Sequence, residues 1–363
     1  MLLHAPARTI ENPGGVPLTA RDSAAVTQRI GVIGGSGFIG TWLVGLLLTR
    51  DHAARIIDVN PSQSHPDLWV AADVRDRDAL CAACRGCDAL YNLAAEHRDD
   101  VRPVELYHQV NVIGAHNTCD VAERRRIDRL VFTSTVAVYG LPVGEVDETA
   151  AVRPFNQYGR TKLAAEQVFR AWAARAPGRS LTIVRPTVVF GPGNRGNVYL
   201  LLEQIAGGRA IVIGDGRNRK SLAYVGNLAA FLVHALGFGP GVHLYNYVDK
   251  PDLDMNGLVA LASQTLGRGR PVRIPYPLGM AAGAVCDWLG RVTGQQLPIS
   301  RVRVKKYAAN TRFAADRIAR TGFKPRHSLH DALAATIRHE FLADDAAPAA
   351  PSRNPFPASS LDR

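Results

Sequence analysis

The chain of 363 residues is long enough for one large α/β unit or two lobes sharing a core, and its 47% hydrophobic and 21% charged residues are the balance of an ordinary soluble globular protein. A formal net charge of +11 calls for an anionic partner. Phosphorylated ligands and an anionic membrane surface both answer that call; no zinc-finger, RNP-type or basic-zipper pattern speaks for nucleic acid, and no run of about 18 apolar residues spans a bilayer.

Residues 1–28 carry Pro6, Pro13, Gly14, Gly15 and Pro17 without a charged-then-apolar leader, and read as a flexible N-terminal extension. The first buried-type strand is Ile30-Gly31-Val32-Ile33, followed at once by Gly34-Gly35-Ser36-Gly37-Phe38-Ile39-Gly40 and a helical run from Trp42 to Leu48. Glycines at 34, 37 and 40 form a close variant of the dinucleotide-binding fingerprint. Gly34 permits the turn, Gly37 the approach of a phosphate to backbone N–H groups, and Gly40 tight packing of the helix. Arg55 to Val59 reads as a second strand whose Asp58 lies eighteen residues past Gly40, placed to accept hydrogen bonds from an adenosine ribose. A carboxylate there repels a 2′-phosphate, which favours NAD over NADP.

Val70 to Val74 reads as a third strand, with Asp73 and Val74 flanking the adenine. The five cysteines include Cys81, Cys84 and Cys87 in a C-x-x-C-x-x-C run. It lacks a fourth ligand nearby and falls in an Ala-rich helical stretch, so small buried residues are expected and no metal. The odd count without a secretory signal points to a reducing compartment. Ala89 to Ala95 is a fourth strand, with Leu93, Ala94 and Ala95 where a nicotinamide dinucleotide would pass. A helical region from Val104 to Arg126 precedes a fifth strand, Arg129 to Thr135. This rhythm predicts an α/β fold with a doubly wound parallel, Rossmann-type sheet. Asp344 to Arg363, rich in Ala, Pro, Ser and Asp, reads as a disordered tail.

Tyr158 and Lys162 stand four residues apart, on one face of a helix. A phenol titrates near ~10, and a neighbouring cation favours phenolate, so Lys162 with an oxidised nicotinamide would make Tyr158 a general base. Upstream, the hydroxyl pair Ser134 and Thr135 precedes Val138-Tyr139-Gly140. With the glycine loop these are the parts of a hydride-transfer site.

The glycine loop, Asp58, Asn92-Leu93-Ala94-Ala95, Phe132 to Gly140, Tyr158/Lys162 and Val184-Arg185-Pro186-Thr187-Val188-Val189-Phe190-Gly191-Pro192 together resemble the extended short-chain dehydrogenase/reductase superfamily of sugar epimerases and dehydratases, over roughly residues 29 to 342. The resemblance implies that Thr135 is the catalytic hydroxyl, Tyr158 the acid/base and Lys162 a ligand of the cofactor ribose, with Ser134 a further hydroxyl near substrate. It implies NAD contacts from Gly34, Ser36, Gly37, Phe38, Ile39 and Gly40, from Asp58, Asp73 and Val74, from Leu93, Ala94 and Ala95, and from Tyr158, Lys162 and Pro186. It also implies an NAD-binding domain over 29–190, a smaller substrate lobe over 191–343 partly interleaved with it, and a homodimer through helices near 104–126 and 155–175. Where family 4,6-dehydratases follow the catalytic Thr with Asp-Glu, this chain has Val136-Ala137, so dehydration is disfavoured and C4 epimerisation remains.

After Gly214-Asp215-Gly216 stands Lys220-Ser221 rather than the Arg-Asp of nucleotide-sugar epimerases, and lysine lacks the bidentate fork that grips a diphosphate. The strings Ala94 to Asp100, Gly193 to Tyr199, Lys220 to Asn227, Tyr245 to Asp252 and Arg301 to Lys306 resemble a bacterial subgroup, the N-acetylglucosaminyl-diphospho-undecaprenol 4-epimerases. That implies an amino sugar on undecaprenyl diphosphate, interconverted between GlcNAc and GalNAc forms for O-antigen or a similar surface glycan. Glu96, His97, Arg195, Asn197, Lys220 and Arg303 are the added substrate-side candidates. The apolar segment Pro275 to Leu289, leading into Arg291 and the basic string Arg301 to Lys306, is what a protein lying on an anionic membrane would use. A cytoplasmic protein, peripheral to the inner face of the bacterial membrane, is the expectation. A soluble UDP-N-acetylglucosamine or UDP-glucose 4-epimerase and a non-catalytic NAD-binding membrane-associated protein are the rival readings.

Overall fold

The computed structural model describes residues 27–98, 101–141, 144–269, 271–293, 301, 304–305 and 309–342. Most of the expected N-terminal extension (1–26), the expected tail (344–363) and Arg303 lie outside them.

In chain order, the first half runs β1 (Arg29–Ile33), α1 (Phe38–Leu48), β2 (Ala53–Asp58), β3 (Trp69–Ala71), α2 (Arg77–Ala83), β4 (Ala89–Asn92), α3 (Glu105–His108), α4 (Gly114–Arg125), β5 (Arg129–Thr133), β6 (Glu145–Val146), α5 (Gln157–Ala174) and β7 (Ser180–Pro186). The second runs β8 (Val188–Phe190), α6 (Asn197–Ala206), β9 (Ile211–Ile213), β10 (Arg219–Tyr224), α7 (Val225–His234), β11 (Gly241–Tyr247), β12 (Asp249–Asp254), α8 (Met255–Thr265), β13 (Val272–Ile274), α9 (Tyr276–Thr293), β14 (Arg312–Phe313), α10 (Asp316–Arg320) and α11 (Leu329–Phe341).

Seven strands pair in the order β11-β7-β5-β4-β1-β2-β3, all parallel. Such a sheet is covered on both faces, so its strands are apolar throughout rather than alternating. Successive residues of β1 feed opposite layers. Ile30 and Val32 join Leu43, Leu47 and Phe231 on one side, and Ile33 joins Ile57, Phe132 and Phe169 on the other. Between β2 and β4, β1 is where the strand order reverses, and a ligand crevice forms at the carboxyl ends of the strands beside such a point.

Four expected elements differ in extent. The third strand stops at Ala71, because the Asp73 carboxylate accepts from the Arg75 N–H and guanidinium at 2.8 and 3.0 Å and turns the chain. The fourth and fifth strands end at Asn92 and Thr133, and the chain beyond them, Leu93–Ala95 and Ser134–Thr135, leaves the sheet after one further hydrogen bond each, from Leu93 N–H to Ile33 and from Ser134 N–H to Val184. The long helical region is α3 and α4 joined by a π turn over Gln109–Ile113.

Past residue 190 the chain returns to this sheet: β11 is its edge strand, and α7 lies against α1. The remaining strands form smaller sheets, β12-β10-β8, β13-β9 and β14-β6. Helix α9 packs through small residues. Gly279 and Gly283 are buried, and a Cβ on Gly279 would lie 2.8 Å from Ile213 Cγ2. Its large apolar side chains, among them Leu278, Val285 and Trp288, face outward at 61%, 57% and 62% exposure. No helix among the described residues is long and apolar enough to cross a membrane.

Candidate active site

The turn from β1 into α1 builds a cradle. Gly34 has φ +79°, and a Cβ there would lie 2.5 Å from the Ala94 backbone nitrogen. A Cβ on Gly40 would lie 2.5 Å from the Gly35 carbonyl oxygen, so loop and helix touch backbone to backbone. Gly37 differs: its φ is an ordinary −71°, and a Cβ would meet only the Gly34 carbonyl oxygen at 3.3 Å. It caps α1 without a side-chain hydrogen bond and without acids in the first turn. The helix N–H groups are therefore left for an anionic ligand.

At the end of β2, Asp58 accepts from the Ser36 N–H at 3.1 Å and the Asn60 N–H at 3.0 Å, which places its carboxylate under the loop. The Leu93 N–H donates to the Ile33 carbonyl at 2.8 Å, bringing Leu93–Ala95 to the same edge, and Pro186 ends β7. Asp73 lines an open groove of about 770 Å³ with Arg75, Gln109, Ile113 and Asn117. Its hydrogen bonds with Arg75 hold its carboxyl below the usual range. Val74 is buried against Gly114, so its side chain serves packing. Backbone approach at Gly37, open N–H groups and a carboxylate under the loop together fit a dinucleotide.

The side chains expected to do the chemistry come from the end of β5 and the start of α5. Asn156 caps α5 by accepting from the Gly159 N–H at 2.9 Å, which sets Tyr158 in the first turn. Thr135 accepts from the Ala137 N–H at 3.1 Å, and its hydroxyl stands close enough to the Tyr158 phenol to favour the phenolate. Burial pushes that phenol up to about 12, and Thr135 opposes the shift. Lys162 is fully buried, its ammonium 4.3 Å from the Phe132 ring centroid. Burial pushes it down to about 7, with the Glu166 carboxylate opposing.

The expected lowering of Tyr158 by Lys162 is thus not supplied by the protein by itself. Burial raises the phenol, and Thr135 is the group that favours phenolate. Ser134 also departs from expectation. Its hydroxyl is buried and donates to Glu166 Oε1 at 2.5 Å.

The substrate-side candidates divide. Glu96 lies at the cleft edge, its N–H held by Asn111 at 2.9 Å and its carboxylate paired with Arg98 at 3.1 Å; His97 beside it is exposed. Arg195 pairs with Glu340 of α11, Asn197 is exposed at the start of α6, and Lys220 donates to the Ala309 carbonyl at 2.5 Å. Burial pushes Lys220 down to about 8. The structure gathers Thr135, Tyr158 and Lys162 and distributes Arg195, Asn197 and Lys220 over the second half of the chain. Sequence reasoning missed Glu166, although its place four residues after Lys162 put it on the same helix face. Arg185, its partner, was read only as part of a string.

A profile of the NAD dependent epimerase/dehydratase family matches residues 30–246. The chain belongs to that family. Its NAD dependence agrees with the cradle, and the protein is an NAD-dependent enzyme. Among family relatives, the N-acetyl-alpha-D-glucosaminyl-diphospho-ditrans,octacis-undecaprenol 4-epimerase of Escherichia coli O157:H7 is 46% identical over 320 residues, 87% of this chain and 96% of the relative. The 2-alkyl-3-oxoalkanoate reductase of Stenotrophomonas maltophilia is 30% identical over 330 residues, 84% and 97% of the two chains. The UDP-glucose 4-epimerase of Thermus thermophilus, solved with NAD, superposes with a TM-score of 0.68 over 87% of this chain and 99% of its own at 21% identity, which is a likeness of fold.

Proposed function

We propose that this enzyme interconverts the GlcNAc and GalNAc forms of an amino sugar carried on undecaprenyl diphosphate, by C4 epimerisation through a 4-keto sugar, for O-antigen or a related surface glycan. The observation that carries this is the 46% identity along 96% of the length of the E. coli relative. NAD, when bound in the cradle, supplies the acceptor and donor for the hydrogen at C4 and is regenerated in each turnover.

The chain's own residues handle the proton and the geometry. Tyr158 removes the O4 proton as phenolate and returns it at the end. Thr135, beside that phenol, stabilises the charge and orients O4. Lys162 holds the cofactor ribose. Gly34 to Gly40, Asp58, Asp73, Leu93–Ala95 and Pro186 bind the rest of the dinucleotide. Glu96, His97, Arg195, Asn197, Lys220 and Arg303 serve the sugar and diphosphate. Residues 29–190 are the NAD-binding domain and 191–343 the substrate lobe. The helices over 104–126 and 155–175 form a homodimer face. The outward apolar side chains of α9, followed by Arg301 and Lys305, rest on the anionic inner face of the cell membrane, where such a substrate resides.

The test offers the purified enzyme GlcNAc-diphospho-undecaprenol and UDP-GlcNAc in parallel, without added reductant. Epimerisation of the lipid-linked sugar, with NAD unconsumed, is expected. Conversion of the nucleotide sugar alone would overturn the substrate, and stoichiometric consumption of NADH would overturn the reaction.

A further inference from the structure

Beneath the Thr135–Tyr158 pair lies a charged group that the mechanism above does not use. Glu166 and Arg185 have side chains only 2% and 4% exposed. Arg185 Nη2 donates to Glu166 Oε2 at 2.5 Å and Arg185 Nε to Oε1 at 2.8 Å. Ser134 Oγ adds a third donor to Oε1 at 2.5 Å. Removing two charges from water costs several kcal/mol per ion, so a pair this deep is weak evidence of added stability.

Its placement carries more. Glu166 is one turn beyond Lys162 on α5, hence on the same face. Ser134, the donor from the end of β5, immediately precedes Thr135. One carboxylate therefore references both the strand end that presents Thr135 and the helix face that presents Lys162. Arg185, next to Pro186 on β7, extends the chain of bonds outward. Its Nη1 donates to the Tyr139 hydroxyl at 2.7 Å, which donates to Asn246 Oδ1 on β11 at 2.8 Å. The Asn246 N–H donates to Glu148 at 2.7 Å, and Glu148 faces Arg317 of α10 at 3.4 Å.

We propose that Glu166 is a positioning residue of the epimerase site, fixing Thr135 through Ser134 and Lys162 through the shared helix face, with Arg185 holding Glu166 in place. It touches neither substrate nor cofactor. Loss of such a reference displaces reacting groups by fractions of an ångström to an ångström, which lowers the chemical step while leaving sugar binding largely intact. This inference rests on the catalytic roles given to Thr135 and Lys162 above.

The test compares wild-type full-length enzyme with two variants on the lipid-linked sugar and on UDP-GlcNAc in parallel. Glu166→Met with Arg185→Met removes both charges together, which preserves folding where a single change would strand one ion. Ser134→Ala removes one hydroxyl and leaves the ion pair. For the double variant, kcat is expected to fall on the order of 100-fold with KM within about threefold. For Ser134→Ala, kcat is expected to fall about tenfold with KM again unchanged. NAD affinity, read by calorimetry without sugar, is expected to weaken severalfold in the double variant and to stay at wild type in Ser134→Ala. A kcat within about threefold of wild type in both variants, or a rise in KM alone, overturns the proposal. Wild-type activity confined to UDP-GlcNAc overturns the substrate reading instead, and the kcat comparison is then made on that sugar.

Discussion

Tyr158 and Lys162 are shifted in opposite directions by one cause, burial of the charged form, and each shift yields a measurement. Replacing Tyr158 with Phe keeps the ring in place and removes the phenol proposed to move the O4 proton. Turnover is expected to fall on the order of 10³-fold with folding intact; epimerisation persisting in that variant would sink the assignment. Lys162 has its pKa depressed from its usual ~10.4, pushed down to about 7 in the fold. The unfolded chain therefore binds a proton that the folded chain does not, throughout the window between those values. Stability is lost as pH falls through that window and levels off below about 7. Lys162→Met lifts the penalty. The variant is expected to be inactive yet to melt above wild type near neutrality, the gap closing as the pH rises toward 10. A gap that widens with pH would show that burial of the ammonium is not the cause.

At the level of elements, the glycine turn separates two uses of one residue type. Gly34→Ala must adopt φ +79° with its Cβ pressed on the Ala94 backbone, a conformational cost of about 1–3 kcal/mol. Gly37→Ala meets neither obstacle, so its folding should stay within about 1 kcal/mol of wild type. Its methyl group instead occupies the surface a phosphate would approach. Thermal melts with and without NAD distinguish them: Gly34→Ala lowers the baseline melting temperature, whereas Gly37→Ala leaves it and removes most of the NAD-induced rise. Equal baseline losses would mean that Gly37 is a turn residue like Gly34.

The same scale explains what could be read in advance. Glycine spacing, apolar strand runs and the 158/162 pair are local signals, so β1, α1, β4, β5 and α5 were legible to within a few residues. The early end of β3 depends on Asp73 finding Arg75, and strand propensity over Val70 to Val74 does not report that turn. The inward turn of Ser134 depends on Glu166, thirty-two residues away. The partnering of Arg195 with Glu340 joins positions 145 apart. Long-range pairs of this kind leave no mark in local pattern, which is why the glycine turn and the helix carrying Tyr158 and Lys162 were readable and the partners of Ser134 and Arg195 were not.

For the whole molecule, the unusual feature is a helix that packs by its glycines and shows its large apolar side chains to the outside. A surface helix of a globular protein does the reverse, burying the apolar stripe and exposing charge. In α9, Gly279 lets the backbone sit close on Ile213 of β9 and Gly283 is buried, while Leu278, Val285 and Trp288 stand out with Arg301 and Lys305 following in the chain. Burial of such side chains in an acyl boundary is worth ~1.5–3 kcal/mol each, and each basic residue near an anionic surface adds ~1 kcal/mol that salt screens. The two contributions predict different signatures in sedimentation with vesicles of mixed anionic and zwitterionic lipid. Arg301→Ala with Lys305→Ala should weaken binding at low salt and matter little at high salt. Leu278→Ser with Trp288→Ser should weaken binding at both, on the order of 100-fold, and should raise KM for the lipid-linked sugar in vesicles while sparing turnover of a short-chain analogue in solution. Unchanged sedimentation in the Leu278/Trp288 variant would remove α9 from the membrane contact, and a loss of turnover on the short-chain analogue would place its apolar face in the active site instead.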